Sequence, residues 1–494
     1  MNKTFKNILY LFVSSVFSKL LGLISALIIP KILGPANYGV WVILLLIMAY
    51  APIASLGTVE ALFKEFPYLI GKKQFNKAKE YEENIFGSIC LTSIFLFLCV
   101  ALVPVIVSSK GLERYEPEVA IMLSAASISS FSGFFYFRLA SYSFFKMCSI
   151  INTIRSISML LFVTTFAWLF GLRGAAIGYL IVEVVVCLSS MFFNMSYCGK
   201  IKLKFNYRLI WQAIKIGLPI TVIWWSLTLQ SSIDRIVSSS FLGKGMTGYY
   251  SLGLSILSAL ALIPAAVSSV LYPKISEGVG KRLSLSQMSS IVIEPIRLLS
   301  IISPAFIGTL IILSPAIYEW IFPKYLPGLY SAQILFLGFF FNSLIRNGGN
   351  YLVALSKQNT LFGFVLISLV FNAVFAVLFV HIGFSIEGIA LSTIISSALI
   401  VSLMWLFILK DLYCRKRDQW KNLFYLYSPF SLMLALLIVF RLVLPGFSIS
   451  TGFITLFYVF IYLTFYISIV FLLPPFNTWS KEIITLLKTH IFSR

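Results

Sequence analysis

Apolar runs of about 20 residues recur from one end of this chain to the other, each long enough to cross a bilayer as a helix. They begin near residues 7–30 and end near 450–474, and by this criterion there are about 14 of them. That repetition constrains the fold more than any other feature: the chain is an all-α polytopic membrane protein. Composition agrees. Of 494 residues, 59% are hydrophobic and 11% charged, where a soluble globule carries roughly 25% charged residues.

A net charge of +21 would suit nucleic acid, but its distribution argues otherwise. Lysine and arginine gather in alternate connections: Lys64, Lys72, Lys73, Lys77 and Lys79; Lys200, Lys202, Lys204 and Arg208; Lys274, Lys281 and Arg282; Arg415, Lys416, Arg417 and Lys421. Lys3, Lys6 and the tail Lys481, Lys488 and Arg494 fall on the same side. Basic connections stay in the cytoplasm, so both termini are expected there, and the number of spans is even. The first apolar run carries no small-residue cleavage site and reads as a membrane helix, not a removed signal peptide. The six cysteines have no ligand spacing and most fall in apolar runs, as small packing residues. No metal site, cofactor or nucleic-acid partner is expected.

The stretch ILGPANYGVW, Ile32 to Trp41, joins the first two spans, and FLGKGMTGYY, Phe241 to Tyr250, repeats it. Leu33, Gly34, Gly39 and Trp41 align with Leu242, Gly243, Gly248 and Tyr250 at one constant interval (34 to 243). Each copy is a turn too short to be a loop domain, and glycine suits the positive φ and close backbone approach of such turns. Gly34, Gly39, Gly243 and Gly248 are therefore candidate conformational turns. A second echo, Gly174-Ala175-Ala176 against Gly388-Ile389-Ala390, supports an internal repeat. The expected organisation is a six-helix bundle over 1–199, a basic connection over 200–210, a second six-helix bundle over 211–410, and two further spans with a tail over 411–494.

Charges inside the spans carry the functional signal, because each costs about 2.5–3.5 kcal/mol at mid-bilayer. Lys215 and Arg155 lie near basic ends and Arg441 near the opposite end, where snorkelling to headgroups accounts for them. Lys19, Arg138, Arg235, Arg346 and Arg297 lie deeper or among polar companions. Arg235 shares a helical stripe with Thr221, Trp225, Thr228, Ser232 and Ser239, and Arg346 shares one with Asn342, Gly349 and Asn350. Polar stripes of this period face the bundle or a watery cavity. Asp234 and Glu183 are the clearest buried acids, candidates either for arginine partners or for ion coupling. A cationic cavity implies an anionic ligand such as phosphate or pyrophosphate, whose oxygens suit arginine and lysine. This physics does not separate a lipid-linked from a free substrate. No external loop is large enough to carry a catalytic domain, so an enzyme is not expected.

The LGPANYGVW turn after a basic first helix, and Asp234-Arg235 followed by LGKGMTGYYS, resemble the polysaccharide transporter branch of the multidrug/oligosaccharidyl-lipid/polysaccharide (MOP) exporter superfamily. The nearest likeness is to Wzx-type flippases of O-antigen or capsular repeat units. The resemblance implies two six-helix bundles in a V shape, as in MATE transporters, plus two further helices in the bacterial inner membrane. It implies transport of a polyprenyl-pyrophosphate-linked oligosaccharide to the outer leaflet by alternating access. Lys19, Arg138, Arg235, Arg346 and Arg297 would contact the headgroup, and Asp234 or Glu183 would couple an ion. Membrane lipids and a glycan polymerase machinery are the implied partners. Two relatives of the same superfamily are the alternatives: a cation-coupled multidrug exporter, which would show acids in the cavity, and a lipid II flippase.

Overall fold

Wherever the computed structural model describes the chain, it is built of helices and short turns (residues 3–104, 115–260, 262–413, 415–443 and 452–472). The helices are α1 Lys3–Tyr50, α2 Thr58–Gly71, α3 Phe75–Leu98, α4 Glu116–Ser141, α5 Phe145–Ser158 and α6 Thr164–Tyr197. They continue as α7 Tyr207–Val237, α8 Lys244–Leu260, α9 Leu262–Gly280, α10 Leu285–Ile321 and α11 Leu329–Ala354. The series ends with α12 Gln358–His381, α13 Ile386–Leu412, α14 Lys416–Val443 and α15 Gly452–Leu472. Short π-helical turns at Met159–Val163 and Ser238–Leu242 carry α5 into α6 and extend α7. Nine helical stretches among the described residues are long and apolar enough to cross a membrane. Gly34 breaks α1 at φ 72 and Gly171 breaks α6 at φ 61, so two of those stretches each hold a pair of spans. With α7, α8–α9 and α15 added, the segments number about 14, as the apolar runs predict.

The turns show the repeat more directly than the sequence does. Left-handed residues stand at Gly34, Lys73, Ser143 and Gly171, and again at Gly243, Arg282, Ser356 and Gly383. Each member of the second set follows its counterpart at nearly the same interval (34 to 243, 73 to 282, 143 to 356, 171 to 383). Only two of these pairs are glycine. At Lys73, Ser143, Arg282 and Ser356 the left-handed backbone costs a side chain about 1–2 kcal/mol, and the same hydrogen bonds hold each one. Ser143 N–H donates to Ala140 O at 2.9 Å and Phe144 N–H to Leu139 O at 2.9 Å; Ser356 N–H donates to Val353 O at 3.0 Å and Lys357 N–H to Leu352 O at 2.8 Å. This pair of bonds at the end of a helix satisfies carbonyls that would otherwise face hydrocarbon or each other. α4 and α11 have equal lengths, and their starts at Glu116 and Leu329 are separated by the same interval as Ser143 and Ser356.

The chain forms two compact units. The first holds Met1–Ser239 and Gly243–Gly248, and the second Ser240–Leu242 and Tyr249–Arg494. The connection over 200–210 thus lies inside the first unit, and α7 packs on α2 and α3. Leu62 and Phe66 of α2, Ile85 and Ile89 of α3, Phe134 and Phe135 of α4 and Ala213 of α7 form its core between these helices. α4 lies along α6, and α1 along α5 and α6.

In the second unit α11 lies along α13, α12 along α13, and α10 supports α14 and α15. Pro304 lies inside α10. Its missing N–H and its ring open the helical ladder around it. α15 uses that opening. Tyr462 Oη donates to Pro304 O at 2.8 Å and Tyr466 Oη to Ile301 O at 2.7 Å. Gly308, one turn on, makes room: a Cβ there would stand 2.2 Å from the Tyr462 ring.

Candidate functional site

The two echoed turns meet. A Cβ on Gly39 would lie 1.8 Å from Lys244 O, and one on Gly248 would lie 1.9 Å from Pro35 O. The contact is reciprocal, since position 39 corresponds to 248 and position 35 to 244. Gly34 and Gly243, at φ 72 and 88, have open space around them and serve the turn itself. The four glycines therefore have two tasks: two bend the chain, and two let backbone touch backbone. Lys244 lies over the Tyr115 ring at 4.1 Å, a cation–π contact at the start of α4. This contact lies within the first unit, at the end of the spans away from the basic connections.

Arg138, expected at an anionic headgroup, is held by protein. Its Nε pairs with Glu82 Oε1; Nη1 donates to Gly199 O at 3.1 Å and Asn194 Oδ1 at 3.5 Å; Nη2 donates to Cys198 O at 3.2 Å. Tyr142 Oη donates to Glu82 Oε2 at 3.0 Å, and Asn194 Nδ2 to Phe135 O at 2.8 Å. Arg138 and Glu82 are both buried. Next to them Lys204 pairs with Glu83 at 2.7 Å, and Gly87 lets the Lys204 backbone in, a Cβ there standing 2.2 Å from Lys204 O. The clamp thus ties the connection after α6 to α3 and α4. The Glu83 bond raises the Lys204 ammonium above its ordinary value, and burial pushes the Cys198 thiol up to about 11.

Glu183 has a similar position. It is fully buried and makes a two-pronged pair with Arg155, Nη1 on Oε1 and Nη2 on Oε2 at 3.2 Å. Arg155, expected to snorkel, therefore neutralises the acid instead. At the interval that separates Ser143 from Ser356, the counterparts of Arg155 and Glu183 in the second unit are Ser368 and Ser396. Ser368 Oγ donates to Ser396 O at 3.1 Å. One helix pair carries an ion pair where its counterpart carries serines. Lys215 is exposed over the Trp211 ring at 5.7 Å, in keeping with snorkelling.

The α7 stripe is polar where the sequence places it. Tyr50 at the end of α1 and Ser232 share a hydrogen bond. Asp234 is buried, and Arg235 is half-buried with its Nε enclosed and lacking a hydrogen-bond partner among the described residues. The Trp225 indole N–H is likewise enclosed without one. Unsatisfied buried donors on one helix face are costly unless a ligand or water meets them. At the other end of the stripe, Thr221 is in hydrogen-bonding contact with Glu60 of α2. Sequence reasoning passes over Glu60, Glu82 and Glu83, because all three border a basic connection and read there as solvated charge.

In the second unit Arg297 Nη2 donates to Asn422 Oδ1 at 2.7 Å, joining α10 to α14. Arg346 is exposed on α11, while Asn350, one turn on, donates to Ser268 Oγ at 2.6 Å. The Lys19 side chain lies outside the described residues. Among the described residues no group of histidine, cysteine, aspartate and glutamate could hold a metal ion.

Residues 4–279, more than half of the chain, match the family described as "Polysaccharide biosynthesis protein". The chain belongs to this family. A Shigella flexneri protein named "Putative O-antigen transporter" is 21% identical over 340 residues, covering 66% of this chain and 79% of that protein. Among solved structures, the lipid II flippase MurJ in an inward closed conformation matches 94% of this chain and 99% of its own, with TM-score 0.72 at 17% identity. A multidrug resistance MATE transporter of the MOP superfamily, inward-facing, matches 82% of this chain and 98% of its own, with TM-score 0.68 at 14% identity. The family member described here thus has the MOP transporter fold. Its relatives are transporters and flippases rather than enzymes, and it is itself a multi-pass membrane transporter of that superfamily.

Proposed function

We propose that this protein flips a polyprenyl-pyrophosphate-linked oligosaccharide repeat unit from the cytoplasmic to the outer leaflet of the bacterial inner membrane by alternating access. Membership of the polysaccharide biosynthesis family carries the reading. The charge inside the spans supports its chemistry. Arg235 has an enclosed donor that no described protein group meets, and a diphosphate oxygen is a strong acceptor for guanidinium. Arg235, Arg346, Arg297 and Lys19 are the proposed headgroup contacts. Arg138, bound on three nitrogens, positions the connection between the halves instead. The proposed halves are 1–199 and 211–410, with 411–494 as an accessory pair, and both termini are proposed to be cytoplasmic. Asp234 remains a proposed coupling acid. The paired turns at Gly39 and Gly248 form a contact that must open when the site faces outward.

The test is reconstitution. Vesicles holding the purified chain and a fluorescent polyprenyl-pyrophosphate oligosaccharide are exposed to a membrane-impermeant reagent. The proposal expects wild-type chain to bring the inner-leaflet pool within the reagent's reach, and Arg235→Gln to slow this. Wild-type vesicles that flip no faster than protein-free ones would overturn it.

A further inference from the structure

α2 and α7 cross at two glycines with backbones in direct contact. A Cβ on Gly57 would lie 2.3 Å from Gly217 C, and one on Gly217 would lie 1.8 Å from Gly57 O. Nothing larger fits, and the crossing excludes water at that level. An acid stands beside it. Glu60 lies one helical turn beyond Gly57, Thr221 one turn beyond Gly217, and the two side chains are in hydrogen-bonding contact. The Glu60 Oε2 atom is buried with no hydrogen-bond partner among the described residues.

The Thr221 hydroxyl has one proton, and it donates this to Gly217 O at 3.0 Å. Towards Glu60 its oxygen can therefore only accept. A carboxylate has nothing to donate. Only the protonated carboxyl completes this arrangement, and only the protonated form tolerates an enclosed, unpartnered oxygen. No charge is placed to hold the anion. On α3, Glu82 and Glu83 are paired with Arg138 of α4 and Lys204, and Tyr81 faces the Glu65 charge. On α7, Lys215 is exposed, while Asp234 and Arg235 lie about 20 Å further along the helix axis. On α2 itself, Lys64 is exposed.

We infer that Glu60 is a proton-binding site whose protonation closes the α2–α7 crossing. Deprotonation breaks the carboxyl O–H bond and passes the proton to water. The Thr221 hydroxyl then turns from Gly217 O to donate to the carboxylate, and the crossing opens to admit water to the remaining oxygen. Protonation and closure are thus two descriptions of one state, and a pH gradient biases the opening. The use of this device in transport rests on the flippase reading; the proton site does not.

The experiment uses the full chain in lipid nanodiscs, followed by infrared difference spectroscopy through a pH titration. The proposal expects a protonated-carboxyl band in wild-type chain that is absent in Glu60→Gln and displaced in Thr221→Val. It also expects hydrogen exchange around Gly57 and Gly217 to rise with pH more than base catalysis alone accounts for. In Glu60→Gln that excess should be lost. A band unchanged in both variants, or the same excess exchange in Glu60→Gln, would overturn it. Thr221→Val keeps the test open should Glu60→Gln fold poorly. Wild-type chain that shows the band yet flips no cargo would sink the flippase reading and leave the proton site standing.

Discussion

Replacing Gly39 by alanine tests the paired turns. The added Cβ would stand 1.8 Å from Lys244 O, whereas ordinary contact begins at 3.4 Å. The turns must part or bend to make up that difference. The opposing atom is backbone, which cannot turn aside as a side chain can. Overpacking of this kind costs about 1–3 kcal/mol. Alanine also favours the helix over glycine by about 0.8–1.0 kcal/mol, but it does so in any state with Gly39 helical, closed or open. The closed contact alone bears the clash, so its population should fall by about 5- to 150-fold. Gly248→Ala meets Pro35 O at 1.9 Å and should act alike. The double variant should add little, because turns already parted no longer clash. Gly245→Ala is the control: it lies in the same turn with nothing within 4 Å. Hydrogen exchange of the amides around 36–41 and 245–250, in nanodiscs, reads the contact. Faster exchange in Gly39→Ala and Gly248→Ala, with Gly245→Ala as protected as wild type, is the expected result. Equal protection in all three would refute the argument that the turns are held by backbone contact.

Other consequences are as direct. Arg138→Met leaves Glu82 buried without its ion partner and should cost about 3–5 kcal/mol; adding Glu82→Gln should recover much of the loss in thermal unfolding followed by size-exclusion chromatography. Tyr462→Phe and Tyr466→Phe should each cost about 0.5–1.5 kcal/mol, and Gly308→Leu should free α15 to limited proteolysis. In a chain retaining Cys198 alone, maleimide labelling should stay slow at neutral pH and accelerate as pH approaches the thiol's value of about 11. Burial is the main cause and the Arg138 guanidinium opposes it, so Arg138→Met should slow labelling further. The raised thiol value also adds stability that is complete below about pH 9 and lost as pH rises towards 11.

The spans and the echoed turns are legible in the sequence because both are written in local residue types: apolar runs of fixed length, and glycine where φ is positive or backbones touch. Lys73, Ser143, Arg282 and Ser356 take the same left-handed conformation, yet their residue types do not announce it. The partners of the buried charges are harder still to read. Glu82 is remote in sequence from Arg138, and Glu183 from Arg155; only packing brings them together. Arg138 reads as a cavity cation because a lone intramembrane arginine looks unpaired until its acid is found. Glu60 is hidden for a related reason. It follows the break at Gly57 and precedes a basic connection, so its local sequence resembles the end of a membrane span.

The most direct test of the central claim is the sidedness of the lipid-linked repeat unit in cells lacking this protein. The account predicts that the polyprenyl-pyrophosphate glycan accumulates on the cytoplasmic face, that wild-type chain relieves this, and that an Arg235→Gln, Arg346→Ala chain inserted at normal levels does not. Normal outward delivery without the protein, or full relief by the doubly substituted chain, would contradict it.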